Sequence, residues 1–372
     1  MSYLTLLLPK SLEIYSWNIG HENIETKYEN LIKYVGTTSD IIVFAFQEIS
    51  LKSFKRITVL LGTHLQKYEL VSSEKSCIFS DKLKSKFVIG TSVYVKTGKT
   101  EQVNVLTRFI RTKCPSLTKG YVMIPLKIKG QRINIINTHL PFKTDLKYFI
   151  SNFNEILKEI HPLDTSIVCG DLNSRSLILE DCYKKDVKYE CSTNECLVMR
   201  QLTKLHRKSL EGTIDLPREV SKIKLNNTQV CGVTDKLIRS STDQCMFYKF
   251  LKSMIDKDFL LLFIESNTSD DKAFNEFMNI SNNVKTSNDL ITLRRKMKIF
   301  REAKITYYPT YKRDIKTGMF SLRKKDKGRL PGYADRVIYA SNNNIIRPKN
   351  YTSLPVAGND HIPIHQIFDI KV

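Results

Sequence analysis

Ser166-Ile167-Val168-Cys169-Gly170-Asp171-Leu172-Asn173 is a strand-length apolar run that breaks off directly into a glycine, an aspartate and an asparagine. Apolar runs of this length bounded by turn formers read as buried strands, and Asp and Asn favour the turn that follows. Outward from it the same texture recurs in 12–19, 40–46, 87–95, 121–128 and 133–138, and again in 305–308, 336–339 and 362–368. Residues 25–34 and 146–160 instead carry apolar positions at helical spacing. Strands alternating with helices predict an α/β layered domain whose chemistry sits at strand ends.

The 372 residues are 41% apolar, enough to bury a large core as one catalytic domain spanning 1–372. From about 176 to 293 the chain turns rich in Lys, Asn, Asp and Ser with weak periodicity, which reads as an atypical insertion. With 59 Lys and Arg against 38 Asp and Glu, the formal charge is +21, a field that attracts polyanions such as nucleic acid, inositol polyphosphates or an acidic membrane leaflet. The eight cysteines form neither a C-x-x-C pair nor zinc-ligand spacing, so a reduced, cytoplasmic chain is expected. The Leu run within 1–9 lacks a basic n-region and is too short for a signal or a span. No later stretch approaches the roughly 20 apolar residues of a membrane helix, so any membrane contact is expected to be peripheral.

The strand-end clusters, in order, are Trp17-Asn18, Gln47-Glu48, Asn137-Thr138-His139-Leu140, Gly170-Asp171-Leu172-Asn173, Ala334-Asp335-Arg336-Val337 and Asn359-Asp360-His361. Any one alone is more simply a cap, a turn or a satisfied core histidine. Together they supply oxygen ligands for a hard cation, with acid, base and charge-stabilising groups around a phosphate. Hydrolysis of a phosphate ester needs that combination, because the attacking water loses a proton while charge on the phosphoryl oxygens is neutralised.

The ordered set resembles the endonuclease/exonuclease/phosphatase superfamily and, within it, the inositol polyphosphate 5-phosphatases. Tyr308-Pro309-Thr310-Tyr311-Lys312 looks like that family's F-x-P-T-Y-K signature, and Leu330-Pro331-Gly332-Tyr333-Ala334-Asp335-Arg336-Val337 is similar to its P-S-W-C-D-R-V block. The Trp-Asn-Ile-Gly opening, Thr118-Lys119-Gly120 and Gly-Asp-Leu-Asn-Ser-Arg add support, and the matches cover roughly 12–175 and 296–368. The resemblance implies a DNase I-like four-layer α/β sandwich: two packed, mainly antiparallel or mixed sheets flanked by helices. It also implies a Mg²⁺-dependent phosphatase removing a phosphate, most simply the 5-phosphate, from phosphoinositides or soluble inositol polyphosphates.

Carried over residue by residue, the resemblance implies that Glu48 holds Mg²⁺, with Asn18 near the metal or its waters and Asp360 in support. Asp171 would be the general base, with Asn173 fixing its geometry. His139 and His361 would donate to the scissile phosphate, with Asp335 orienting His361. Tyr311 and Lys312 would grip a further ring phosphate, while Lys119, Arg175 and Arg336 are expected in anion contact or buried ion pairing. This chain departs from the pattern at Gly332-Tyr333-Ala334 and at Ser174, where the family usually carries Ser-Trp-Cys and an aromatic, and in the long stretch between Asn173 and Pro309. Residues 294–336 hold fifteen Lys or Arg and four acids, a guide toward an anionic leaflet if not simply a solvated face. Two other functions remain open at this stage. One is a nuclease of the abasic-site type, for which the charge is equally suitable; the other is an inactive phosphoinositide-binding module.

Overall fold

The computed structural model describes residues 8–20, 24–76, 87–116, 119–141, 152–153, 155–161, 163–174, 300–307, 309–313, 315, 332–341, 344–356 and 358–371. In chain order its strands are β1 (Ser11–Asn18), β2 (Ile41–Ser50), β3 (Tyr68–Lys75), β4 (Phe87–Lys96), β5 (Val103–Val105), β6 (Arg111–Ser116), β7 (Lys119–Ile128), β8 (Gln131–His139), β9 (Thr165–Asp171), β10 (Phe300–Glu302), β11 (Asp335–Ala340), β12 (Ile346–Ser353) and β13 (Ile364–Ile370). Two helices, α1 (Ile24–Ile32) and α2 (Leu51–His64), flank β2 in sequence.

The strands form two sheets. One runs β12-β13-β1-β2-β4-β3, the other β10-β11-β9-β8-β7-β5 with β6 paired on β7. Each has a single parallel pair at its centre, β1 with β2 and β8 with β9, between antiparallel neighbours. The two parallel pairs end in register at Asn18 opposite Gln47 and at His139 opposite Asp171. Parallel pairing in register thus brings these polar residues together at the carboxyl ends of central strands.

Alternation of side chains along β1 and β2 explains the layering. Leu12, Ile14, Ile41, Val43 and Ala45 point into a core shared with Val122, Ile124, Ile133, Ile135, Ile167 and Val337 of the other sheet. Tyr15, Trp17, Ile42, Phe44 and Phe46 point the opposite way, onto Phe54, Ile57 and Leu61 of α2. These three lie three and four residues apart, the spacing of one helix face. Ser50 caps α2 by accepting the N–H of Ser53 at 3.0 Å. At about 1.5–3 kcal/mol for each fully buried large apolar side chain, against about 0–1 kcal/mol for an exposed ion pair, the two apolar layers dominate the fold.

The sandwich agrees with the expected fold class, and most expected strands lie within a few residues of observed ones. Residues 305–307 differ: they form no strand, and side chains secure them instead. The Tyr307 ring meets Tyr351 edge-on at 5.0 Å, and the Thr306 hydroxyl donates to the Tyr351 carbonyl at 3.1 Å. Of the helix expected over 146–160, residues 152–153 and 155–158 are described and helical, with Phe153 edge-on to Phe300 of β10. The expected insertion at 176–293 and Arg175 lie outside the described residues.

Candidate active site

Asp171 closes β9, is 2% exposed, and is the point on which both sheets converge. Asn18 of β1 donates to its Oδ2 at 3.0 Å, His139 Nε2 of β8 lies 3.2 Å from the same oxygen, and His361 Nε2 lies 3.9 Å away. Its Oδ1 accepts the main-chain N–H of Asn173 at 2.9 Å.

Local backbone geometry makes this approach possible. Gly170 has φ of 132°, and a Cβ there would lie 1.9 Å from the Thr138 carbonyl oxygen, so only glycine lets β9 pass β8 immediately before the aspartate. Asn173 follows with φ of 50°, a left-handed conformation that asparagine tolerates, and its side chain donates to the Leu140 carbonyl at 2.6 Å. Glu48 is also left-handed, at φ of 53°, inside a register shift between Phe46 and Ile49 of β2. A bulge there re-aims one side chain: Glu48 Oε1 lies 3.6 Å from both His139 Nε2 and the Lys119 ammonium.

Beneath Glu48, Gln47 and Asn137 are both buried and link the sheets. Gln47 Nε2 donates to Asn137 Oδ1 at 2.7 Å, and Asn137 Nδ2 donates to the Phe46 and Gly90 carbonyls and the Thr91 hydroxyl.

The opposite wall comes from the C-terminal part. Asp335 opens β11 directly across from Asp171, and its Oδ2 lies 2.8 Å from His361 Nδ1. The Thr310 hydroxyl accepts the Asp335 N–H at 3.2 Å, the Trp17 indole donates to the His361 carbonyl at 3.1 Å, and the Tyr311 ring lies 4.5 Å from the His361 ring. Lys312 bonds Asp360 at 3.0 Å, with its ammonium 5.6 Å from the Tyr311 centroid.

Charge follows this geometry. Burial alone would raise the Asp171 pKa, but the charges of His361, His139 and Lys119 and the His139 hydrogen bond outweigh it and keep the carboxyl well below the usual carboxylate range. Burial pushes Asp335 upward, opposed by His361. Burial would likewise favour neutral His361, yet Asp335 and Asp171, with help from Asp360, raise its pKa to about 9. A folded-state value above the unfolded one, roughly 6.5, means that this contribution to stability is complete below the unfolded pKa and is lost as pH rises through the folded one. Denaturant titrations of the EDTA-treated chain are therefore expected to show stability declining between pH 6.5 and 9; a flat profile across that window would contradict a charged His361.

Asn18, Glu48, Lys119, His139, Asp171, Asn173, Asp335 and His361 thus form one connected site, with Tyr311, Lys312 and Asp360 beside His361. Arg336 departs from the expected anion contact. It is fully buried, its Nε donates to Glu302 Oε1 at 2.7 Å, and a second bond joins Nη2 to Oε2, so it has the buried pairing offered as the alternative. Arg175 lies outside the described residues. Glu302, Thr310 and the Gln47–Asn137 link were not assigned from sequence. Thr310 lies inside a recognised motif and Gln47 and Asn137 inside strand-end clusters, whereas Glu302 gave no signal.

Asp171, Asp335 and His361 each offer a ligand atom, all within 4.8 Å of one another. Asp335 Oδ1 is buried without a hydrogen-bond partner among the described residues, and Glu48 presents a quarter-exposed carboxylate. Oxygen donors of this kind beside a solvent path suit a hard divalent cation, which keeps some of its waters.

Comparisons with known proteins bear on the fold and on parts of the sequence. A model described as Endonuclease/Exonuclease/phosphatase family 2 matches residues 279–367. The inositol-1,4,5-trisphosphate 5-phosphatase 1 of Schizosaccharomyces pombe is 36% identical over 73 residues, 20% of this chain and 6% of that protein. The phosphatidylinositol polyphosphate 5-phosphatase type IV of Mus musculus is 41% identical over 75 residues, 20% of this chain and 11% of that protein. The matches therefore span only a small part of these curated relatives. Among solved structures, the inositol polyphosphate 5-phosphatase domain of SPsynaptojanin, with inositol (1,4)-bisphosphate and calcium, superposes with a TM-score of 0.56 at 18% identity, covering 97% of this chain and 84% of that one. A Cimex nitrophorin variant, as its ferrous NO complex, gives 0.51 at 16% identity, covering 98% and 99%.

The fold is therefore that of the inositol polyphosphate 5-phosphatase domain, and its C-terminal part resembles the Endonuclease/Exonuclease/phosphatase family 2 model. The local sequence similarity, over about a fifth of the chain, is to inositol polyphosphate 5-phosphatases. The nitrophorin likeness shows that this fold alone does not dictate chemistry; the strand-end residues must do so.

Proposed function

We propose that the chain is a Mg²⁺-dependent phosphoesterase that removes a phosphate, most simply the 5-phosphate, from phosphoinositides or soluble inositol polyphosphates. The observation that carries this reading is the Asp171 carboxylate, on which Asn18, His139 and His361 converge from separate strands and loops of both sheets.

In the proposed reaction Asp171 orients a water and takes its proton as the water oxygen bonds to phosphorus, while the bond from phosphorus to the inositol oxygen breaks and that oxygen takes a proton from solvent water, the proton on Asp171 passing back to the solvent. Asn173 keeps the aspartate in place through its main-chain N–H. His361, charged and fixed through Nδ1 by Asp335, directs Nε2 to the phosphoryl oxygens, and His139 donates from the other side. Glu48, with Asn18 and Asp360 nearby, would hold the Mg²⁺, whose bound charge neutralises the phosphoryl and leaving oxygens. Tyr311 and Lys312 border His361 and suit a second ring phosphate. Peripheral contact with an anionic leaflet fits the +21 charge and a cytoplasmic setting fits the cysteine spacing, and no helix among the described residues is long and apolar enough to cross a membrane.

Phosphate release measured across a panel of soluble inositol phosphates and phosphoinositides tests the proposal. Release from 5-phosphorylated substrates with Mg²⁺, abolished by EDTA and without nicking of plasmid DNA, is expected. Strong nicking without phosphate release would replace this reading with a nuclease.

A further inference from the structure

Lys119 opens β7 directly before Gly120, whose backbone pairs with His139 across the strands. Its ammonium contacts His139 Nε2 and lies 3.6 Å from Glu48 Oε1, the carboxylate proposed for the metal. Both side chains are partly open to solvent, at 20% and 24%. A cation resident beside this carboxylate opposes a second cation there by simple Coulomb repulsion. A lysine, with its flexible four-carbon stem and point charge, also differs from an arginine locked in a planar fork. It is able to swing away without losing its backbone anchor on β7. An arriving phosphoryl group offers it a new anion.

Resting on the phosphoesterase reading, we infer that Lys119 is the resident counter-cation of Glu48. It holds the carboxylate while the divalent ion is absent and yields it when ion and phosphate arrive together, turning its ammonium to the phosphate. The ion and the phosphate then favour each other's binding, and by linkage the effect is reciprocal. The arrangement keeps the site from being loaded with metal before substrate is present.

The test is a calorimetric titration of Mn²⁺ into the EDTA-treated full chain, with and without inorganic phosphate, for the wild type, Lys119→Met and Lys119→Gln. Without phosphate, both variants are expected to bind Mn²⁺ about tenfold more tightly than the wild type. Phosphate should tighten Mn²⁺ binding about 5-fold or more in the wild type, within the usual range of such couplings, and by less in the variants. Variants that bind Mn²⁺ no more tightly than the wild type would overturn the inference. Thermal melts identify a variant that has not folded, and the glutamine variant then carries the comparison. Phosphate release by the wild type is read separately. If release is absent while the affinities shift as stated, the phosphoesterase reading falls and the counter-cation stands. If release is present with unshifted affinities, the reverse holds.

Discussion

Replacing Asp171 by alanine or asparagine is expected to lower phosphate release by about 10³-fold or more, because general-base catalysis alone contributes typically 10²–10⁴-fold. Asp171 also anchors the geometry: Asn18, His139 and the Asn173 N–H all bond it, so its loss misplaces the donors as well as removing the base. The asparagine variant separates these effects. It keeps the shape and an acceptor oxygen for Asn18 but is a very poor base and sets an amide NH2 against the Asn173 N–H, so its deficit reports proton transfer and charge plus one lost acceptor, against the whole network lost in alanine. Circular dichroism should show the fold retained in both variants. Activity within about tenfold of the wild type in Asp171→Asn would deny Asp171 the role of base, whatever the fold.

The second large effect is on stability. Glu302→Ala is expected to destabilise the chain by about 3–5 kcal/mol, the cost of leaving one partner of a buried ion pair uncompensated. Arg336 is 0% exposed and bonded to both oxygens of Glu302, and its bond to the Ser174 hydroxyl at 3.4 Å supplies no negative charge. The same substitution removes an acceptor from the Tyr351 hydroxyl at 3.0 Å. Since buried pairs often yield little net stability over apolar packing, the double variant Glu302→Met with Arg336→Met should lose much less than the single one. Urea denaturation measures both. A single variant within about 1 kcal/mol of the wild type would mean that the guanidinium finds water or another partner.

Arg336 also marks the limit of what the sequence reveals. It sits next to Asp335 in a recognised motif within a basic stretch, where anion contact and buried pairing were both expected and no partner was named. Only the register of β10 against β11, which pairs Glu302 with Ile338, brings the acid to it. A lone glutamate among fifteen basic residues reads as solvated, so burial was invisible. By contrast, the strand ends were legible because an apolar run followed at once by Asn18, Glu48, His139 or Asp171 is a one-dimensional pattern. Their meeting was expected only through the joint chemistry of the set and the family resemblance: Asn18 and Asp171 are 153 residues apart and bond because parallel pairs in both sheets stop at the same end.

The edges of the sheets were missed for a related reason. β3 and β12 are half-exposed and polar, with register shifts of their own, and carry no clean alternation. α2 was missed because it begins immediately after the bulged end of β2, so its apolar spacing merges with the strand. Residues 305–307 misled in the opposite sense: aromatic and β-branched residues suggested a strand, yet their rings and hydroxyls do the packing and no backbone ladder forms.

The central claim is that these separate strand ends assemble one site for a divalent ion and a phosphoryl group. Anomalous diffraction from crystals soaked in Mn²⁺ with an inositol phosphate tests it most directly. The account predicts a strong manganese peak at the Glu48 carboxylate, with a phosphate between it and His361. Manganese bound elsewhere while Glu48 still faces Lys119 under the same soak would contradict it.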